Sequence, residues 1–363
     1  MPCILSAVRE TVGRMHLRTA MTRPFAFQWH ITERCDQRCR HCYVFMAAKE
    51  QLPLTDVPDD AIPRILDNCC DMCETLGREP CFYITGGDPL LHHRFWDILA
   101  LLKSREIGFS ILGNPFHLTD AICARLKSLE CDRYQLSIDG MRHTHDSIRM
   151  DGSFDCTIEK IGVIRGAGIR CAVMTTVSRL NLREIPEVID LVVRHQVDIF
   201  AFARYCPSNF DPETHVTPQE YRDLLDCCWA RFEMYEDSET TFNLKDHLWT
   251  LFLHEKGRFT VPDGLDQDRI YDGCHCGDSH LTILPDGAVH ACRRFESRIG
   301  NALTDRLAEI FTGPRMDKHR DYGSFEKCAR CELQRFCRGC PAVAFGYSKD
   351  MYAADPQCWR TVA

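Results

Sequence analysis

Ile31-Thr32-Glu33-Arg34-Cys35-Asp36-Gln37-Arg38-Cys39-Arg40-His41-Cys42-Tyr43 follows a strand-like run, Phe25–Ile31, and decides how the rest of the chain is read. Its cysteines stand in C-x3-C-x2-C spacing with no fourth close by. Fe–S clusters normally take four thiolates, so such a triad leaves one iron of a cubane free for a small molecule. Common zinc sites prefer two-plus-two spacing and a complete tetrahedron. The plain alternative is three unrelated cysteines, and the further cysteine groups downstream weigh against it.

The chain has 363 residues, 26% charged and 45% hydrophobic, which suits a soluble globular protein with a barrel-sized domain and a smaller one. A formal net charge of −8 argues against a nucleic-acid binder held by phosphate contacts. The N-terminal apolar run is too short for a signal peptide, and no uncharged apolar stretch of about 18 residues spans a membrane. A cytoplasmic protein is expected. Disulfides are rare in a reducing cytosol, so the 23 cysteines point to metal ligation. Eleven fall in metal-like groups: the first triad and Cys274, Cys276, Cys292, Cys328, Cys331, Cys337, Cys340 and Cys358. Scattered ones, including Cys69, Cys70, Cys73, Cys227 and Cys228, read as small core residues.

From Phe25 to about Phe202, short β-like runs alternate with helical ones. Strands are expected at Phe25–Ile31, Cys81–Thr85, Gly108–Leu112, Tyr134–Ile138, Ile169–Val177 and Val197–Ala203. Helices are expected at Asp59–Leu76, Phe95–Lys103, Thr119–Leu129, Phe154–Ala167 and Ile185–Arg194. Six βα-type repeats describe an α/β fold, a parallel sheet curling into a partial (β/α)6 TIM-like barrel. Helices over Pro218–Tyr235 and Leu244–Lys256 then bridge outward. The organisation expected is an N-terminal segment (1–24), a barrel with bridging helices (25–256) and a small Cys-rich domain (257–363). The last is poor in periodic segments and is expected to fold around metal rather than an ordinary core.

In a parallel barrel the functional residues sit at the C-terminal ends of strands. The triad follows the first strand and Gly86-Gly87-Asp88-Pro89 follows the second, where glycine lets the backbone approach a ligand closely. Asn114 follows the third, and Ser137 and Asp139 end the fourth. Singly, each has an ordinary explanation, a turn or a helix cap. Together they describe a pocket for a polar small molecule beside an iron cluster.

These motifs resemble the radical SAM superfamily over nearly the whole chain. The resemblance implies a [4Fe–4S] cluster on Cys35, Cys39 and Cys42, with S-adenosylmethionine (SAM) on the open iron, cleaved to a 5′-deoxyadenosyl radical that abstracts a substrate hydrogen. It implies that Gly86, Gly87 and Asp88 meet the methionine amino group, that Ser137 and Arg149 hold its carboxylate, that Asn114 lines the cofactor pocket, and that His41 stands where family members often carry an aromatic contact to adenine. The later cysteines resemble the SPASM extension, with one residue fewer than usual before Cys340. That implies two auxiliary [4Fe–4S] clusters: Cys276, Cys292 and Cys340 on the first, Cys328, Cys331, Cys337 and Cys358 on the second. Cys274 is the natural fourth ligand of the first; without it, one iron is open to a substrate thiolate. A zinc ribbon on Cys328/Cys331 and Cys337/Cys340 is the alternative.

Relatives with this extension mostly modify peptides and proteins. The reading adopted is a maturase of a ribosomally made peptide, forming a thioether or carbon–carbon cross-link, oxidising or epimerising. A flavodoxin- or ferredoxin-type electron donor is expected. About 24 residues precede the first strand, too few for the leader-binding domain many maturases carry, so a separate leader-binding protein is a candidate partner. The alternatives are a sulfatase-type maturase, a small-molecule radical dehydrogenase and a non-catalytic Fe–S redox protein. Cys206, in Arg204-Tyr205-Cys206-Pro207 after the sixth strand, is a candidate hydrogen donor, with a small buried residue as the plain alternative. Asp139 and Asp278 are candidate bases, Asp139 more simply a residue that structures its loop.

Overall fold

A computed structural model describes residues 24–45, 54–266 and 269–362. Most of the expected N-terminal segment, 1–24, lies outside them. Seven parallel strands run in chain order: β1 Phe25–Thr32, β2 Pro80–Gly86, β3 Gly108–Leu112, β4 Arg133–Ser137, β5 Arg170–Val177, β6 Ile199–Arg204 and β7 Thr241–Asn243. Helices α1 Ala61–Thr75, α2 Phe95–Ser104, α3 Asp120–Ser128, α4 Arg142–Ile148, α5 Ser153–Gly166 and α6 Ile185–Arg194 connect them, then α7 Pro218–Met234 and α8 Leu248–Glu255 follow. This is the expected α/β class, a partial parallel barrel, now with a seventh short strand.

Strand alternation sorts the wall into two faces. On β1, Phe25, Phe27, Trp29 and Ile31 are fully buried under the helices, and Phe27 stacks on Phe82 of β2 at 5.2 Å. Gln28 and His30 face the other way, and Gln28 donates to Tyr43 Oη at 3.2 Å in the cysteine loop. On β4, Tyr134 and Leu136 are buried outward, leaving Arg133, Gln135 and Ser137 on the lumen face.

The expected helix ends hold well where a cap or proline fixes them: Thr119 Oγ1 accepts from Ile122 N at 3.2 Å, and Thr217 with Glu220 forms a capping box. Two elements differ. The helix expected from Leu244 starts at Leu248, because residues 244–247 turn so that Asp246 meets Arg204. Helix α4, Arg-His-Thr-His-Asp-Ser-Ile, has too little apolar periodicity to be read from sequence.

The C-terminal third joins the same sheet. Strand β8 (His280–Ile283) pairs in parallel with β1, and β9 (Ala288–His290) and β10 (Arg298–Asn301) extend it antiparallel, giving ten strands in one sheet. The expectation that this third lacks an ordinary core is corrected. Leu281, Ile283, Val289, Ile299, Phe311, Leu333 and Phe336 belong to the barrel's own hydrophobic cluster. Strands of three or four residues are too short to show a period. Short helices α9 Leu307–Thr312, α10 Pro314–Asp317 and α11 Pro341–Ser348 complete the chain. Cys69, Cys73 and Cys228 are buried, whereas Cys227 is exposed. No helix among the described residues is long and apolar enough to cross a membrane.

Candidate functional site

The cysteine loop is pinned from below and behind. Gln37, itself buried, donates to Ser153 Oγ at 2.7 Å, and Arg40 N donates to Ile148 O at 2.9 Å. Burial pushes the Cys39 thiol up to about 11; the Arg149 guanidinium opposes this, and the adjacent Cys42 and Cys35 add to the rise. The three sulfurs thus share one small space. Asn114 Nδ2 donates to Cys35 Sγ at 3.2 Å, and Arg149 Nη1 lies 3.8 Å from Cys39 Sγ.

The Gly-Gly turn is needed for a contact that sequence reading assigned to a ligand. Gly87 N and Asp88 N donate to Thr32 O and Arg34 O at 2.8 and 2.7 Å, so the turn lies directly on the cysteine loop. A Cβ at Gly86 would sit 2.0 Å from Thr32 O, and one at Gly87 2.0 Å from Arg34 O. Asp88 is fully buried and near Cys35. Its Oδ1 accepts from Leu90 N at 3.2 Å, while Oδ2 has no partner. Burial raises its carboxyl to about 7.

Asp139 is a loop organiser. Its carboxylate accepts from Arg149 Nε at 2.6 Å and from Thr176 N at 2.8 Å, and its backbone N donates to His145 Nδ1 at 3.1 Å. Burial would raise its pKa, but Arg149 and then His41 outweigh that and hold it below the ordinary value. His41 Nε2 is 3.5 Å from the same carboxylate, and its ring meets Tyr205 edge-on at 6.3 Å. The Ser137 hydroxyl, half-buried at the end of β4, has no hydrogen-bond partner among the described residues. An orphaned buried carboxylate oxygen near Cys35 and a guanidinium near Cys39 suit a group bearing both an ammonium and a carboxylate, set against three thiolates.

The later cysteines divide in two. Cys328, Cys331, Cys337 and Cys358 line one cavity with Leu251, Leu333 and Gly339. Cys340 is not among its walls, which is the wrong arrangement for a zinc ribbon of Cys328, Cys331, Cys337 and Cys340. Cys274 and Cys276 line a second cavity with His319, Tyr322 and Met351. Cys292 lies close to Cys274 and Cys340. Cys206 packs against Cys340 and Cys292 and is buried. Asp278 stands two residues after Cys276, 3.9 Å from His275 Nδ1.

Sequence reasoning missed His247, whose ring reaches both Cys274 and Cys340, and Arg294, whose guanidinium faces Cys206 and Cys340. It also missed Arg133, on the lumen face of β4. None carries a spacing signature.

Residues 29–192 match the radical SAM superfamily model, and residues 274–341 match the SPASM iron–sulfur cluster-binding domain. Among similar proteins is an AdoMet-dependent heme synthase of Nitratidesulfovibrio vulgaris, 27% identical over 91% of this chain and 90% of that protein. A mycofactocin maturase of Mycobacterium ulcerans is 25% identical over 92% of this chain and 87% of its own length. Among solved structures, Streptococcus suis SuiB bound to its precursor peptide SuiA superposes with a TM-score of 0.72 at 17% identity, covering 98% of this chain and 79% of that one. That likeness is one of fold. The two matched domains imply [4Fe–4S] clusters and SAM as cofactors. With the barrel motifs over 29–192 and the SPASM cysteines over 274–341, the chain belongs to the radical SAM superfamily.

Proposed function

We propose that the protein is a radical SAM maturase that modifies a ribosomally made peptide, with a cross-link or oxidation as the outcome. The observation carrying this reading is the separation of the later cysteines into two groups, beside a triad with an unpartnered acceptor, Asp88 Oδ2, near Cys35 and the Arg149 guanidinium near Cys39. The mycofactocin maturase, similar over nearly the full length of both chains, supports it.

In this reading Cys35, Cys39 and Cys42 hold the initiating cluster. The bound cofactors supply the one-electron cleavage that yields a hydrogen-abstracting radical. The chain's own residues bind and orient. Asp88, with Gly86 and Gly87, receives the ammonium; Arg149 and Ser137 receive the carboxylate; Asn114 donates to a ligand sulfur; His41 lies at the adenine side. Cys274, Cys276, Cys292 and Cys340 take the first auxiliary cluster, and Cys328, Cys331, Cys337 and Cys358 the second. The barrel (25–256) and the Cys-rich part (257–363) then act as initiating and electron-accepting halves, served by a flavodoxin- or ferredoxin-type donor and, for the leader, a separate protein.

A second reading, action on a tetrapyrrole, is favoured by the heme synthase relatives, three of which match over at least 91% of this chain. The deciding experiment is anaerobic incubation of the reconstituted protein with SAM and dithionite. One arm contains a Cys-rich peptide from a neighbouring short reading frame, the other an iron porphyrin. A mass change in the peptide with stoichiometric 5′-deoxyadenosine supports the maturase; a change in the porphyrin alone sinks it.

A further inference from the structure

Arg338 stands between Cys337 and Cys340 in the sequence and is only 4% exposed. It lines the cavity of Cys328, Cys331, Cys337 and Cys358, and it also lines the cavity of Cys274 and Cys276. No other residue is in the walls of both. Its guanidinium donates through Nη1 to Asp272 O at 3.2 Å and through Nη2 to Cys274 O, and it lies over the Tyr322 ring at 5.2 Å. The same side chain thus separates the two groups of later cysteines and faces each of them.

The partners of this cation are neutral. No carboxylate among the described residues comes within ion-pair distance of it. Arg204, the other arginine buried among the described residues, meets two carboxylates, Asp246 and Asp355. A guanidinium keeps its charge, and withdrawing it from water without a counter-charge is costly. The two carbonyls offset part of that cost. The backbone adds to it, because Arg338 has a φ of 60°, the left-handed region that a Cβ disfavours. Such conformations persist where the surroundings impose them, and they gather at functional sites.

Neither cavity has a carboxylate in its walls, and the first adds two further cations, Lys327 and Arg360. What the walls lack, the thiols can supply. A cubane held by thiolates is a net anion, and each electron it accepts makes it more negative. We propose that Arg338 is the shared counter-cation of the two auxiliary clusters and holds both of their reduction potentials up. Charge beside a cluster is one of the levers on its potential, and a wall closed to water leaves that charge poorly screened. A cation common to both clusters moves the two potentials together. The proposal rests on the radical SAM enzyme reading with two auxiliary clusters and adds what sets their potentials.

The test is an anaerobic dithionite titration of the reconstituted full chain, followed by electron paramagnetic resonance. Cys35→Ala, Cys39→Ala and Cys42→Ala are combined in the parent so that only the auxiliary clusters report. The parent should hold about eight irons. Fewer sinks the two-cluster reading and the proposal with it, whereas eight irons with unmoved potentials sinks the proposal alone. Arg338→Gln keeps a donor for the carbonyls and loses the charge. It should lower the reduced-to-oxidised ratio of both clusters about tenfold at a fixed poise, which is about 59 mV for a one-electron couple. Arg338→Lys should leave both midpoints near the parent's. Lys327→Gln changes the walls of one cavity only and should lower one midpoint, which assigns it to that cavity. Unchanged midpoints in Arg338→Gln, a shift in one of them alone, or the same iron loss in the Gln and Lys variants overturns the proposal. Iron lost from the Gln variant and kept by the Lys variant supports it, because retention then follows the charge.

Discussion

Arg204 Nη1 donates to Asp355 Oδ1 at 2.7 Å, joining the end of β6 to a residue 151 positions further along the chain. Both side chains are almost wholly buried. Asp246 takes Arg204 Nε at 3.0 Å, and the second Asp355 oxygen accepts from Cys340 N at 2.8 Å. A buried ion pair is therefore what fixes the backbone of Cys340, a proposed cluster ligand, to the barrel.

Asp355→Ala leaves a buried guanidinium with one carboxylate instead of two and frees the Cys340 amide. Breaking such a pair costs about 3–5 kcal/mol. Anaerobic thermal unfolding should show a clearly lower midpoint, and iron per chain should fall. Asp355→Asn, which keeps one of the two accepting oxygens, should recover part of the iron. Wild-type iron content in Asp355→Ala would refute the link.

Gly87→Ala should damage the first cluster selectively. Its Cβ would press on Arg34 O, one residue before Cys35, and backbone there cannot yield as a flexible side chain would. The expected loss is about four irons, the content of one cubane, together with SAM binding. Iron analysis and SAM equilibrium dialysis would check this; full SAM affinity in the variant would count against the close packing described.

Cys206→Ala should alter the electron paramagnetic resonance spectrum of the dithionite-reduced auxiliary clusters, because Cys206 packs on Cys340 and Cys292. Cys228→Ala, a change within the buried face of α7, should leave that spectrum alone. Identical spectra for both variants would remove Cys206 from the cluster surroundings.

Cofactor chemistry fixes residue types at set intervals, so the triad, the Gly-Gly-Asp-Pro turn and the later cysteines were legible in the sequence. The barrel strands were legible because buried strands between turn signals repeat. Arg133 and His247 were not, because a single basic residue has no spacing and its meaning comes from what the fold sets beside it, Tyr83 for one and Cys274 with Cys340 for the other. Strands β7 to β10 escaped for want of length. Cys206 was noticed for the position it follows, yet the direction of its side chain, toward Cys340, depends on the packing of α11.

The pairing of β8 with β1 has a consequence for synthesis. Ala26 finds its partner only when His280 has left the ribosome. Until then the strand bearing the cysteine loop has one neighbour, β2, and an open edge of backbone donors and acceptors flanked by Phe25, Phe27 and Trp29. Contacts so distant along the chain form slowly. The nascent protein thus carries an open apolar edge through most of translation, and the last third of the chain is what closes it.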